Sequence, residues 1–159
     1  KISPVLDVKR MSMVAVQNRL NQPTSGNTPD FIDDTASKGT SSAAVYVTKP
    51  VTLENESTAI DVRLTQNVRS TSSVEVYFRL SGAEEDRNIN DISWTPFNSD
   101  GSEDLSVTPA EDDNTFKEYK YSASNLNTFT SFQIKIVMKG TNSAYPPIIR
   151  DLRGIALAV

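Results

Sequence analysis

The chain has 159 residues, of which 37% are hydrophobic and 8% aromatic, carries a net charge of -4, and contains neither His nor Cys. That length suits one medium domain with a single core and excludes two large ones. The missing residue types exclude Ser-His-Asp and Cys-His chemistry, Cys/His zinc sites and disulfides within the chain, and 16 basic against 20 acidic residues, with no long Lys/Arg cluster, speak against nucleic acid as a partner. No run approaches the ~20 apolar residues of a membrane-spanning helix, so no membrane partner is expected. Val, Ile and Thr number 39 against 20 for Ala plus Leu, a balance that favours strands over helices.

In chain order, residues 1–20 hold two short strand candidates, 5–8 and 12–16, read as an N-terminal arm. Residues 21–42 are almost entirely Ser, Thr, Asn, Asp, Gly and Pro around Phe31 and Ile32. Such a stretch buries too little apolar surface to offset its ordering entropy, and it predicts a long polar loop. The body, 43–159, opens with strand candidates at 44–48 and 51–54. Alternation at period two is clear at Ile60, Val62 and Leu64, at Val74, Val76, Phe78 and Leu80, and at Phe132, Ile134, Ile136 and Met138, each run predicting a strand with one buried face. Further candidates are 92–97, 116–121 and 149–159, separated by turn-forming clusters such as Asn98-Ser99-Asp100-Gly101-Ser102 and Pro146-Pro147. The apolar end, Ile155 to Val159, would be poorly solvated if free and predicts a docked strand. No initiator Met is present, which suggests a segment of a longer polypeptide. One-sided strands of this kind make antiparallel sheets, and two facing sheets make an all-β antiparallel β-sandwich, with jelly-roll-like connections as one way of joining it.

Few residues suggest chemistry. Trp94 and Tyr77 are the candidate ligand-binding residues, because a sandwich with exposed rings can stack sugars; the plainer alternative is that they pack in a core or interface. Tyr77 draws the eye because it sits on the face opposite Val76 and Phe78. Asp100, Asp104, Asp112 and Asp113 offer the oxygen ligands calcium requires but lack the EF-hand spacing. Without that spacing, solvated loops are the favoured account of them and calcium the lesser one. A glycosidase would need two carboxylates about 5 to 10 Å apart in a cleft, and sequence spacing selects no pair, so no enzyme is expected. Lys117, Glu118 and Lys120 read as a charged solvent face, and Asp151 with Arg153 as a local ion pair.

Several segments carry a family likeness: Ser3-Pro4-Val5-Leu6-Asp7, Val47-Thr48-Lys49 with Val51-Thr52-Leu53, Asp61-Val62-Arg63-Leu64, Val76-Tyr77-Phe78-Arg79, and Phe97-Asn98-Ser99-Asp100-Gly101-Ser102. Phe116-Lys117-Glu118-Tyr119, Phe132 through Met138, Thr141-Asn142-Ser143 and Asp151 through Leu157 extend it over most of the chain. Together they resemble the C-terminal portion of virion structural proteins of contractile-tailed phages, marine cyanophages above all; residues 21–42 have no counterpart. The resemblance implies a non-enzymatic structural or interaction module of the tail or baseplate, assembled in the host cytoplasm, with other virion proteins or further copies of itself as partners. The rival expectation is a carbohydrate-binding or host receptor-binding domain that takes a host-surface glycan.

Overall fold

A computed structural model describes residues 33–42, 44–142 and 144–158. The expected arm at 1–20, and residues 21–32 of the polar stretch, lie outside the described residues. Eight strands follow: β1 (Ala44–Val47), β2 (Val51–Ser57), β3 (Ala59–Asn67), β4 (Ser72–Ser81), β5 (Thr95–Pro96), β6 (Lys117–Ala123), β7 (Phe129–Gly140) and β8 (Ile148–Leu157). Every pairing is antiparallel. One sheet runs β1-β7-β4-β5, with β2 also paired to β7, and the other runs β6-β3-β8.

The long period-two runs become the central strands, since only a strand flanked on both sides can bury a full row of side chains. Ile60, Val62 and Leu64 of β3, with Tyr119 and Tyr121 of β6, meet Val74, Val76 and Phe78 of β4 and Phe132, Ile134 and Ile136 of β7 in one buried cluster between the sheets. Each such apolar side chain stabilises the fold by about 1.5–3 kcal/mol when taken fully from water. The all-β antiparallel sandwich is thus the observed architecture.

The strand expected over 92–97 shrinks to Thr95–Pro96. Pro96 has no N–H for the ladder, and Asn98 and Ser99, with φ of 49° and 71°, turn the chain away at once. The apolar C-terminal run docks as expected: Ala156 pairs with Ile60 and Gly154 with Val62 along β3. Arg153 meets Asp151 at 3.1 Å and Glu118 at 2.9 Å, and Glu118 also takes Arg63 at 2.6 Å, so the charges of β3, β6 and β8 interleave on the outer face of that sheet.

Candidate functional site

On β4 and β7 the alternate positions that read as solvent-facing are also buried. Tyr77, Arg79, Gln133, Lys135 and Val137 are each less than a tenth exposed. Their registry explains how they fit together, because Tyr77 pairs with Lys135 and Arg79 with Gln133 across the two strands, and directly opposed residues share a face. Residues 33–42 and the segment leading to Trp94 cover that face, and the Trp94 N–H donates to the Thr35 carbonyl at 2.8 Å.

The cover works as a charge network. Arg79 donates to Gln133 Oε1 at 2.8 Å and to Asn90 Oδ1 at 2.7 Å, and its guanidinium lies 4.2 Å from the centre of the Trp94 ring. Lys135 donates to the carbonyl of Asp34 and stands 5.0 Å from the Tyr77 ring centre and 5.3 Å from that of Trp94. Lys139 bridges Glu75 at 2.7 Å and Asp34 at 3.4 Å, while the Tyr77 hydroxyl donates to Glu75 at 2.8 Å. Cations over ring faces gain attraction that grows as water is excluded.

The titration of these groups follows from burial and partners. Burial pushes the Asp34 carboxyl up, yet hydrogen bonds from Ser41 and Thr40 and the charge of Lys135 outweigh it and hold the carboxyl below its ordinary value. Burial draws Lys135 down, against the opposing pull of Asp34. Burial, with the hydrogen bond to Glu75 and its charge, raises the Tyr77 phenol far above its usual range.

This arrangement corrects the expected sugar platform. Trp94 and Tyr77 are 5% and 6% exposed, their faces occupied by Arg79 and Lys135, so neither presents a ring to a ligand. Of the 21–42 stretch, residues 33–42 are described and contain no strand, and there Asp34 and Ser42 are buried and tie the segment to β7. Nothing local in the sequence marks Asp34 for this role, since its partner Lys135 lies 101 positions away. The usable signal was Tyr77 itself, an aromatic on a polar face.

The acidic candidates for calcium are not brought together. Asp104 accepts from the Ser122 N–H at 2.9 Å and hydroxyl at 2.6 Å, and Asp100 accepts from the Ser102 N–H at 2.9 Å. Asp112 holds the N–H groups of Asn114 and Thr115, and Asp113 pairs with Arg69 at 2.5 Å. Among the described residues no three acidic side chains converge as a metal would require. Asp100 and Asp112 instead close their own turns, as Asp does where a loop must be fixed, while Asp104 ties its loop to β6 and Asp113 is held by Arg69.

Among the described residues, Leu105 is 80% exposed beside β6 and Tyr145 46% exposed in the loop before β8; the other exposed large apolar side chains gather on one side of the sandwich. Tyr46 is 52% exposed and Ile155 45%, and Val45, Val47, Val51, Ile148 and Leu157 are also exposed. They lie on β1, β2 and β8, the strands at one margin of each sheet. Between these margins runs a gap of about 340 Å³ walled by Tyr46, Ile136, Met138 and the 149–152 segment of β8. On the opposite side β5 ends in Pro96, and the outer edge of β6 is met by Asp104, whose N–H donates to the Lys120 carbonyl at 2.8 Å, with Leu105 exposed beside it. Among the described residues no helix is long and apolar enough to cross a membrane. Comparison of the chain with protein-family models, curated proteins and solved structures gives no match.

Proposed function

We propose that the chain is a non-enzymatic structural and interaction module of a phage virion, in the tail or baseplate, that meets neighbouring subunits through its open side. The observation that carries the reading is the asymmetry of the sandwich. Among the described residues, exposed apolar side chains gather on β1, β2 and β8, whose outer margins pair with no described strand, whereas on the other side β5 ends in Pro96 and the edge of β6 is met by Asp104, with Leu105 exposed beside it. Monomeric proteins blunt their strand edges, and an edge left open and apolar favours pairing with another chain. The sequence likeness to contractile-tail proteins supports the same reading and supplies the kind of partner, other virion proteins or further copies of this chain.

Two observations weigh against the rivals. The rings that would stack a sugar are buried, so glycan binding through Trp94 and Tyr77 lacks a surface. Among the described residues, every carboxyl displaced from its ordinary value lies below it, as at Asp34, Asp100 and Glu118, whereas a carboxylic acid that donates a proton near neutral pH needs the opposite shift.

Sedimentation velocity over a concentration series, with and without purified tail or baseplate proteins, tests the proposal. Self-association or capture of a tail component is expected, weakened at least tenfold by the double substitution Tyr46→Lys and Ile155→Lys. Both positions are solvent-facing, so the thermal midpoint should stay within about 2 °C, the range of ordinary surface substitutions. A chain that stays monomeric and binds no tail component would overturn the proposal.

A further inference from the structure

β8, Ile148–Leu157, pairs with β3 on one side and with no described strand on the other. The N–H and C=O groups along such an edge form a template on which another strand can add. The neighbouring margins offer less. β1 holds four residues, and β2 carries Glu54 and Glu56, so two copies pairing about its middle residues, Glu54 or Asn55, would set Glu against Glu, which is unfavourable. β8 offers both length and charges of both signs.

Register decides what those charges do. Thr65 pairs with Asp151, Leu64 with Leu152 and Arg63 with Arg153, so Asp151 and Arg153 stand on the outer face of the sheet and Leu152 on the inner one. The Asp151 and Arg153 side chains are 50% and 54% exposed. Arg153 lies directly across from Arg63, and one carboxylate, that of Glu118, meets both guanidinium groups, so a further carboxylate beside Asp151 would be well received. The register shift between Thr65 and Gln66 leaves Arg150 without a counterpart on β3. The regular run of the strand therefore starts at Asp151 and includes both charges.

A two-fold axis normal to a sheet keeps the outer face outer in both copies, so each edge residue meets one of its own face. An axis through Leu152 sets Asp151 opposite Arg153 of the second copy and Arg153 opposite Asp151 of the second copy. Axes through Asp151 or Arg153 put like charges face to face, and those through Gly154 or Ile155 put Arg153 against Ile155 or Leu157. Of the axes through 151–155, that through Leu152 alone makes opposite-charge pairs, and it makes two.

We propose that a second copy of this chain pairs antiparallel along the outer edge of β8, about a two-fold axis through Leu152, joining the two β6-β3-β8 sheets into one. The inference rests on the reading of the open side as an assembly surface, and it names the partner and the register. The gap walled by Tyr46, Met138 and Leu152 then lies beside the joint in each copy, so that β1, with its exposed Val45, Tyr46 and Val47, borders the joint from both sides.

The test is sedimentation velocity on the 159-residue chain and two variants, each alone and in equimolar mixture, after circular dichroism has matched the variants to the unsubstituted chain. Concentrations run up to roughly 1 mM, where a millimolar self-affinity is well developed. The unsubstituted chain should dimerise. Asp151→Arg opposes Arg to Arg at both crossings and Arg153→Asp opposes Asp to Asp, turning two attractions into repulsions, so each variant alone should dimerise at least about tenfold more weakly. The mixture should recover dimerisation, because every crossing between the two variants again holds one Arg and one Asp. Dimerisation that survives in either variant alone, or that the mixture fails to restore, would overturn the proposal. So would an unsubstituted chain that stays monomeric, its β8 edge then taken by residues 1–32 or by another protein. Capture of tail or baseplate proteins is measured on the same samples: a monomeric chain that still captures one leaves the assembly reading standing while the β8 pairing falls.

Discussion

Replacement of Asp34 by Ala is expected to destabilise the domain by about 3–5 kcal/mol, the usual result of removing one partner from a buried ion pair. The loss has two sources. Asp34 is the counter-charge to Lys135, at 3.7 Å, with both side chains nearly inaccessible to water. It is also the knot of its own loop, accepting from Thr40 Oγ1 at 2.8 Å and from the Ser41 N–H at 3.0 Å. Once it is gone, residues 33–42 lose their hold on β7, and Trp94 loses the segment that covers it. For a chain of this size each kcal/mol lowers Tm by about 2–4 °C, so the fall is easily measured. Lys135→Met should cost less, because Asp34 keeps Thr40, Ser41 and Lys139, and the double variant should recover part of the Asp34→Ala loss. A single Asp34→Ala effect below about 1 kcal/mol, the size of an ordinary surface change, would show that the network does not hold the cover in place.

The same residue sets a pH dependence with a definite sign. The folded-state value of the Asp34 carboxyl is lowered from its ordinary 3.8, so the stabilisation it brings is complete above that ordinary value. It is lost as pH falls through the lower, folded value. Acid strong enough to protonate Asp34 should therefore loosen the 33–42 cover, seen as a rise in the solvent exposure of Trp94 by fluorescence. Asp34→Asn should flatten that step. An unchanged acid profile in Asp34→Asn would assign the transition to other carboxylates, Asp104 and Asp112 among them, whose values are lowered by their own hydrogen bonds after burial is counted against Asp104.

The frame of this fold is legible because period-two patterning reports burial on one face, and β3, β4 and β7 each bury that face against the opposite sheet. The second buried face is not legible in the same way. Arg79, Gln133 and Lys135 occupy positions that alternation assigns to water, and what covers them arrives from residues 33–42 and from Trp94. Covalent distance hides such a partnership, since neither a charge nor an aromatic at one position signals what packs on it from far along the chain. Gln66 shows the opposite case: a polar residue continuing the inward row of Ile60, Val62 and Leu64 is visible in the sequence, but only the structure shows its Nε2 donating to the buried Tyr121 hydroxyl at 3.2 Å. The acidic stretch from Asp100 to Asp113 misleads for a related reason, because composition counts carboxylates and only geometry shows Asp100, Asp104, Asp112 and Asp113 each held by a separate partner.

Gly101→Val is expected to destabilise the domain by more than about 3 kcal/mol, beyond the usual range for a single substitution. Two causes act together. Gly101 has a φ of 88°, a conformation that costs a side-chain-bearing residue about 1–3 kcal/mol. A Cβ there would also stand 3.0 Å from Glu75 Cβ, 3.2 Å from the Val76 nitrogen and 3.3 Å from its oxygen, and backbone atoms in a central strand have little room to yield. The turn at 97–101 is bonded to β4 twice, the Phe97 N–H donating to the Val76 oxygen at 3.1 Å and the Val76 N–H to the Gly101 oxygen at 2.8 Å, and is closed on itself by the Gly101 N–H donating to the Phe97 oxygen at 2.7 Å. Any shift that relieves the clash pulls on Phe97, which is fully buried and packs its ring 4.8 Å from Phe78 and 6.0 Å from Tyr121, centre to centre. Gly82→Ala is the control. Its Cβ would meet only the Thr128 oxygen, at 3.3 Å, and its φ is not in the left-handed region, so a small relaxation of the loop suffices. Chemical denaturation of the two variants should separate them by several-fold in the free energy lost, and equal losses would mean that the 97–101 turn moves freely and does not lock Phe97 between the sheets.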